Sequence, residues 1–136
     1  MADTRFMLDT NIASYIVRGP GAALAARLVA VPMAQLCVSS ITQAELLHGL
    51  ARKPSATSLH RAVREFLARL EVLAWDSAAA TVYGPLRAQL EAAGTPLGNL
   101  DTLIAAHALA AGATLVTNDH AFTRVPGLAI DNWTAP

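Results

Sequence analysis

The stretch Gly98–Asp119, GNLDTLIAAHALAAGATLVTND, contains one complete helix-to-strand unit. Asn99 is a candidate N-cap, and apolar residues then recur with helical spacing until Gly112, where a left-handed residue ends a helix at little cost. Thr114–Thr117 reads as a short buried strand, closed by the polar pair Asn118-Asp119. The stretch therefore predicts a helix that packs on a strand of a sheet.

Two carboxylates stand out in this stretch, Asp101 in the first helical turn and Asp119 just after the strand. An acid in the first turn has a simple structural explanation, because it complements the helix dipole by about 0.3–1 kcal/mol. Asp101, however, lies beside the apolar positions Ile104, Ala105 and Ala108, where an unpaired charge is costly. Asp101 and Asp119 would therefore need partners from the rest of the chain.

The same alternation of strands and helices runs through the whole chain. It indicates βαβ units, and we expect one domain over residues 1–136, an α/β fold with a mainly parallel sheet between two layers of helices. The other predicted strands are Arg5–Leu8, Leu36–Val38, Val72–Ala74 and Leu128–Asn132. The other predicted helices are Ile12–Val17, Ala22–Val31, Ile41–Leu50, Ala56–Leu70 and a helix that ends at Ala92 after a cap at Asp76 or Ser77.

Polar residues at the strand–helix junctions are candidate helix caps. Thr10 or Asn11 is expected to cap the first helix. Ser40 and Gln43 have the spacing of a capping box at the start of the third helix. These assignments place the helix starts directly after the strands.

Composition limits the class of protein. Of the 136 residues, 54% are hydrophobic and only 5% aromatic, which favours helices packed closely on a small sheet. No apolar run reaches the roughly 18 residues of a membrane span, and the first residues lack the layout of a secretory signal. Cys37 is the single cysteine and lies in an apolar run, so we expect a buried structural thiol and a cytoplasmic protein without membrane association.

Two more acids follow predicted strands, Asp9 after the first and Glu45 in the helix after the second. Alone, each has an ordinary explanation, Asp9 as a helix cap and Glu45 as a solvated helix residue. Together with Asp101 and Asp119 they lie where parallel strands end, which is where open α/β sheets bind ligands. Four converging acids repel one another unless a cation lies between them, and oxygen ligands without Cys or His suit Mg²⁺ or Mn²⁺.

The formal net charge is zero, with ten Lys and Arg against ten Asp and Glu. If the four acids above share one site, six acids remain elsewhere, so the rest of the chain carries +4. This surplus is compatible with a phosphate backbone as partner. Arg52, Lys53, Arg61 and Arg64 either follow such a backbone or form an ordinary solvated helix face.

Three histidines lie near these acids in the sequence. His48 and His107 are interpreted as hydrogen-bonded structural residues, His48 on the helix of Glu45 and His107 in the core or at a dimer face. His120 follows Asp119 directly, and its role stays open.

The acids lie in motifs that resemble those of a known family. LDTN at Leu8–Asn11, SSITQAEL at Ser39–Leu46, GNLDTLIAAHAL at Gly98–Leu109 and LVTND at Leu115–Asp119 resemble the four acidic motifs of the PIN-domain nucleases. More narrowly, LDTNI together with LVTND, RVPGL and DNW resembles the VapC-type toxins of bacterial toxin–antitoxin pairs. The resemblance covers essentially the whole chain.

This resemblance implies a PIN-like α/β/α sandwich and a Mg²⁺- or Mn²⁺-dependent endoribonuclease. A structured RNA such as a transfer RNA is a plausible substrate. By the resemblance, the metal-binding and catalytic acids are Asp9, Glu45 and Asp101, with Asp119 at the fourth position. The polar residues that match those orienting the first acid are Thr10, Asn11 and Thr117.

The resemblance also implies partners. VapC-type toxins usually form homodimers and are held inactive by a cognate antitoxin protein. The helices Ala22–Val31 and Ala56–Leu70 are the expected places for such contacts.

Two other function classes stay open. A PIN-like domain can bind RNA or a partner protein without cleaving it, although such domains usually lack one of the acids. A phospho-acceptor signalling domain also carries acids at strand ends, but it normally needs a lysine after a late strand. The only lysine in this chain is Lys53, between two predicted helices. A phosphatase with an aspartate nucleophile would carry a second acid two residues after the first, where this chain has Asn11.

Overall fold

The computed structural model describes residues 4–135. Each predicted strand and helix is present, with ends within two residues of the prediction. The strands are β1 Phe6–Leu8, β2 Leu36–Ser39, β3 Glu71–Leu73, β4 Thr114–Val116 and β5 Ile130–Asp131. The helices are α1 Thr10–Arg18, α2 Gly21–Ala30, α3 Ser40–Ala51, α4 Thr57–Arg69, α5 Ser77–Ala92 and α6 Asn99–Ala111. Two short 3₁₀ helices that the sequence did not predict are Met33–Gln35 and His120–Arg124.

The five strands form one sheet in the order β3-β2-β1-β4-β5, and every pair is parallel. Phe6 of β1 lies opposite Leu36 on one side and Thr114 on the other. The chain proceeds from β1 to one side of the sheet and returns to β4 on the other side. The carboxyl ends of β1 and β4 therefore flank the switch point, where ligands bind in α/β folds.

The sheet separates two hydrophobic cores, because successive side chains of a strand point to opposite faces. Met7 lies in the core beneath α5 and α6, and Leu8 lies in the core formed with α1 to α4. This arrangement confirms the three-layer α/β/α fold. Cys37 is fully buried in the first core, as predicted, and burial raises the pKa of its thiol to about 12.

Asp9, rather than Thr10 or Asn11, caps α1. Its Oδ1 accepts a hydrogen bond from the Ile12 N–H at 2.8 Å. The helix starts immediately after the strand, so the cap falls on the first residue beyond β1. Because Asp is among the best N-cap residues, the first candidate acid also stabilises the fold.

The caps of α3 and α6 also differ from the prediction. Ser39 caps α3 through its own hydroxyl, so the proposed pairing of Ser40 with Gln43 is wrong. Gly98, without a side-chain bond, is the cap of α6, and Asn99 is already the first helical residue. At α3 the neighbours Ser39 and Ser40 were equally good candidates, and at α6 the helix begins one residue earlier than the better capping residue Asn99 would place it. Among the described helices, none is long and apolar enough to cross a membrane.

Candidate active site

Asp9 lies at the carboxyl end of the central strand. Its backbone N–H donates to the Val116 carbonyl at 3.0 Å, which continues the pairing of β1 with β4. The residue is only 3% exposed, and the bond from the Ile12 N–H fixes one carboxylate oxygen. Thr117 interacts through its hydroxyl with the same carboxylate. The first acid is thus rigidly held and nearly shielded from water.

Glu45 lies in the second turn of α3, partly exposed. The Thr10 hydroxyl donates to its Oε1 at 2.6 Å. The same hydroxyl lies 3.1 Å from the hydroxyl of buried Thr42, which must be the donor because the Thr10 proton is already engaged. Thr10 therefore orients the second acid, whereas the resemblance implied that it orients the first.

Asp101 lies in the first turn of α6, as predicted, and is partly buried. Its Oδ2 approaches the backbone of Gly98, where a Cβ would lie 3.8 Å away. Burial raises the pKa of the Asp101 carboxyl, and the negative charges of Asp119 and Glu45 raise it further. The charges of acids on α3 and after β4 therefore both act on the carboxyl of Asp101.

Asp119 follows β4 and caps the 3₁₀ helix that starts at His120. Its Oδ1 accepts a bond from the Ala121 N–H at 2.9 Å, and its own N–H donates to the Thr117 hydroxyl at 3.0 Å. Thr117 therefore contacts the first and the fourth acid. Asn11, the third residue expected to orient the site, is exposed, and the hydrogen bonds of residues 4–135 include none from its side chain.

The four carboxylates act on one another. Burial is the main cause that raises the pKa of Asp9 to about 6 from an ordinary value of 3.8. The bonds from Thr117 and from the Ile12 N–H lower this pKa, and the charges of Asp101 and Asp119 raise it. Asp9 and Asp119 follow β1 and β4, Glu45 lies in the helix after β2, and Asp101 lies in the first turn of the helix that leads back to β4, so the structure brings all four predicted acids to the same edge of the sheet.

The donor set at this edge consists of carboxylate oxygens, the ligands that Mg²⁺ and Mn²⁺ prefer. Within residues 4–135, no group of three His, Cys, Asp or Glu side chains is close enough to hold an ion as the side chains lie. Three of the acids, Asp9, Glu45 and Asp119, are each anchored to a different donor of the fold. The residues fit a divalent cation by their chemistry, and the side chains would have to rotate to close around it.

The histidines lie outside this set. His107 is 4% exposed in the core, and its Nδ1 lies 2.7 Å from the Ser39 hydroxyl, which confirms the prediction of a satisfied core histidine. His48 is exposed on α3, and His120 is exposed beside Asp119.

Trp75 has a structural role that sequence reasoning missed. Its backbone N–H donates to the Ser40 hydroxyl at 3.0 Å, and its indole N–H donates to the Leu103 carbonyl at 2.9 Å. Trp75 thereby joins the start of α3 to the first turns of α6, the two helices that carry Glu45 and Asp101. The position of a single Trp after β3 was the only sequence signal, and it says nothing about partners so distant in the chain.

Comparison with known proteins agrees with this geometry. The profile of the PIN domain matches residues 6–128. The chain is 40% identical over 131 residues to the tRNA(fMet)-specific endonuclease VapC of Salmonella typhimurium, covering 95% of this chain and 98% of that protein. This chain is a VapC-type member of the PIN-domain family. Ribonuclease VapC2 of Rickettsia felis is 37% identical over 130 residues, covering 94% of this VapC-type chain and 97% of the relative.

Solved structures agree in fold. The chain superposes on a structure of DNA-bound VapBC from Salmonella typhimurium with a TM-score of 0.90 and 36% identity, covering 96% of this chain and 99% of the other. VapBC2 from Rickettsia felis, bound to a DNA fragment from its promoter, gives a TM-score of 0.88 at 36% identity with the same coverage. Both neighbours are toxin–antitoxin structures. The fold and family of this VapC-type protein are therefore shown.

Proposed function

We propose that this protein is a metal-dependent endoribonuclease and the toxin of a bacterial type II toxin–antitoxin pair. The convergence of four carboxylates at the edge of the sheet where β1, β2 and β4 end carries this proposal, since an anionic cluster with a buried member serves a bound cation better than it serves stability. The VapC relatives named as ribonucleases support RNA as the substrate. The relative named as tRNA(fMet)-specific makes a transfer RNA the first substrate to test.

In this proposal Asp9, Glu45 and Asp101 hold Mg²⁺ or Mn²⁺, and Asp119 is a fourth ligand. When bound, such an ion supplies activation of water and stabilisation of charge on the phosphate and the leaving oxygen. We expect products with 5′-phosphate and 3′-hydroxyl ends.

The protein's own residues restrict the rotation of these acids. The Ile12 N–H fixes one oxygen of Asp9, the Thr10 hydroxyl fixes one oxygen of Glu45, and the Ala121 N–H does the same for Asp119. A site that is oriented in advance loses less entropy when it binds its cation and substrate.

The experiment is cleavage of a tRNA(fMet) transcript and of total RNA by the purified protein in Mg²⁺, in Mn²⁺ and in EDTA, with mapping of new 5′ ends. We expect discrete cuts with either metal and none in EDTA. Asp101→Asn should lower the rate by orders of magnitude while the protein stays folded. Asp76→Asn is the matched control, because Asp76 caps α5 and is exposed. Equal cleavage by Asp101→Asn, or undiminished cleavage in EDTA, would contradict the metal role of these acids.

The alternatives predict other outcomes. A binding-only domain would retain RNA without cutting it under any of these conditions. A phospho-acceptor domain would take up phosphate from acetyl phosphate on Asp9. The structure disfavours the second alternative, because Lys53 lies exposed after the end of α3 rather than after a late strand.

For the antitoxin we propose the apolar groove between α1, α2 and α4. The groove has a volume of about 330 Å³ and is lined by Ile16, Leu28 and Phe66 among others. Met33 also lines the groove and is 51% exposed, and Val29, which follows Leu28 in α2, is 88% exposed. These side chains provide apolar surface that a partner would cover. This location includes both helices that the sequence indicated. Met33→Asp should weaken antitoxin binding, measured by calorimetry, without changing RNA cleavage by the free toxin.

We also propose a homodimer in the cytoplasm, where the single buried thiol of Cys37 stays reduced. Leu47 on α3 and Leu100 on α6 are 46% and 47% exposed and are the leucines that a second copy would cover. Light scattering of Leu47→Asp and Leu100→Asp tests this, and an unchanged dimer in both variants would place the interface elsewhere.

A further inference from the structure

Five cations form what we call the basic surface: Arg18 at the end of α1, Arg52 and Lys53 after α3, and Arg61 and Arg64 on α4. All five are exposed. Within residues 4–135, none of them forms an ion pair, whereas the ion pairs of the chain involve cations elsewhere. An unneutralised cluster of this size attracts a polyanion.

Two cations of the basic surface lie near the active site. Arg18 lines a cleft of about 100 Å³ together with Thr10 and Glu45. Arg52 lies seven residues beyond Glu45, just after α3, which is about 10 Å at the helical rise of 1.5 Å per residue. A bound strand that passes the carboxylates therefore reaches Arg18 and Arg52 within a few nucleotides.

The connection between α3 and α4 is structured. The His60 Nε2 donates to the Lys53 carbonyl at 2.9 Å, and the Ala56 N–H donates to the same oxygen at 3.1 Å. Beyond it, Arg61 and Arg64 line an open concavity of about 420 Å³ in which the only acid is Glu65. The cations are thus presented on an ordered concave surface.

A protein partner fits this surface poorly. The large apolar side chains that are exposed on the described part of the chain lie outside the segment from Arg52 to Arg69. The apolar groove proposed for the antitoxin is lined on α4 by Ala62 and Phe66, whereas Arg61 and Arg64 line the concavity. No Phe, Tyr or Trp of the described residues lines the concavity at Arg61 and Arg64, and the Nε2 of its one aromatic ring, His60, is hydrogen-bonded to the Lys53 carbonyl, so its chemistry suits phosphates better than bases.

We propose that the basic surface binds the phosphate backbone of the RNA substrate beside the cleaved bond and contributes affinity without reading base sequence. This inference rests on the proposed ribonuclease function. The carboxylates repel RNA, and cations at this distance offset that repulsion and speed association.

The test compares Arg61→Ala/Arg64→Ala with Arg5→Ala/Arg87→Ala on the tRNA(fMet) transcript in Mg²⁺. Both double variants lose two positive charges, but Arg5 and Arg87 are paired with Glu71 and Glu91 away from the basic surface. Each phosphate contact to a single strand changes the logarithm of affinity by about 0.7 per decade of salt. Losing two contacts should therefore reduce the slope of the logarithm of affinity against the logarithm of salt concentration by about 1.4. If the variant and the wild type have the same KM at 1 M salt, the KM of the variant should be about 25-fold higher at 0.1 M salt.

We expect kcat and the cleaved position to stay unchanged in Arg61→Ala/Arg64→Ala, because the cations act on binding alone. An unchanged KM, or an equal rise in the control variant, would overturn the proposal. So would weaker antitoxin binding in place of weaker RNA binding. If the wild-type protein cuts no RNA, the proposed function fails. If it cuts and both double variants behave alike, only the basic surface is refuted.

Discussion

Replacing Asp9 by Asn should abolish cleavage and, in the absence of metal, stabilise the protein. Asn keeps the cap of α1, because its Oδ1 still accepts the bond from the Ile12 N–H that Asp9 accepts at 2.8 Å. The substitution removes the negative charge of Asp9, a residue that is 3% exposed. The charges of Asp101 and Asp119 repel that charge. The variant separates the cost of the charge from the benefit of the cap.

The size of the effect follows from the pKa of Asp9, which burial raises from 3.8 to about 6. The folded protein then binds this proton more tightly than the unfolded chain does, so wild-type stability falls as the pH rises from about 4 to about 6. At 1.36 kcal/mol per pKa unit, the ionised Asp9 carboxylate lowers the free energy of unfolding by about 3 kcal/mol above pH 6. Asp9→Asn should recover most of this free energy of unfolding, a rise of roughly 10 °C in Tm.

The assay is urea and thermal unfolding in EDTA at pH 7.5 and at pH 4.5. We expect the advantage of Asp9→Asn at pH 7.5 to shrink at pH 4.5, where the folded wild-type protein has Asp9 protonated. Asp76→Asn makes the same chemical change at another cap, where Oδ1 accepts the Ala79 N–H at 3.1 Å, and should stay within about 0.5 kcal/mol of wild type. A variant no more stable than wild type at pH 7.5, or an advantage independent of pH, would refute the reasoning.

Three further predictions concern the surroundings of the site. Thr10→Val keeps the shape of the side chain but frees Glu45, so activity and Mn²⁺ affinity, measured by calorimetry, should fall about 10- to 100-fold with little loss of stability. Mg²⁺ at 100 times its Kd should raise the free energy of unfolding by about 2.7 kcal/mol in the wild type and much less in Asp101→Asn, as followed by Tm. His107→Ala removes a buried ring and its bond to Ser39, so urea unfolding should show a loss of about 2–4 kcal/mol.

Local patterns predicted the fold almost completely, because each strand and helix has its own hydrophobic periodicity and turn residues. The parallel sheet followed from the alternation of these elements, and all five strands are parallel. The helix caps were the weakest part. Asp9 and Thr10, or Ser39 and Ser40, are neighbours of similar capping ability, and only the register of the preceding strand decides which one caps the helix.

The position of the acids at one edge of the sheet was also predictable, since three of them follow strands of a parallel sheet and Asp101 lies at the start of the helix that leads back to β4. Their supporting bonds were not. Thr10 and Glu45 are 35 residues apart, and Trp75 reaches Leu103 across 28 residues. These contacts depend on the packing of α1, α3 and α6 on the sheet. Four of the five cations of the basic surface were noted in the sequence. Arg18 and the lack of ion pairs to these cations became evident only in the fold of residues 4–135.

The arrangement of the carboxylates links their cost to their proposed use. Asp9, Glu45 and Asp119 each have one oxygen fixed by a donor of the fold. These anchors lie on different elements, so the protein holds like charges near one another without relieving their repulsion. Burial is the main cause that raises the pKa values of Asp9 and Asp101, and the charges of the neighbouring acids raise them further. A divalent cation would bind the remaining oxygens and remove that repulsion. The charge that makes the metal-free protein less stable is therefore the same charge that would give the site its affinity, so stability and activity should change in opposite directions when Asp9 is neutralised.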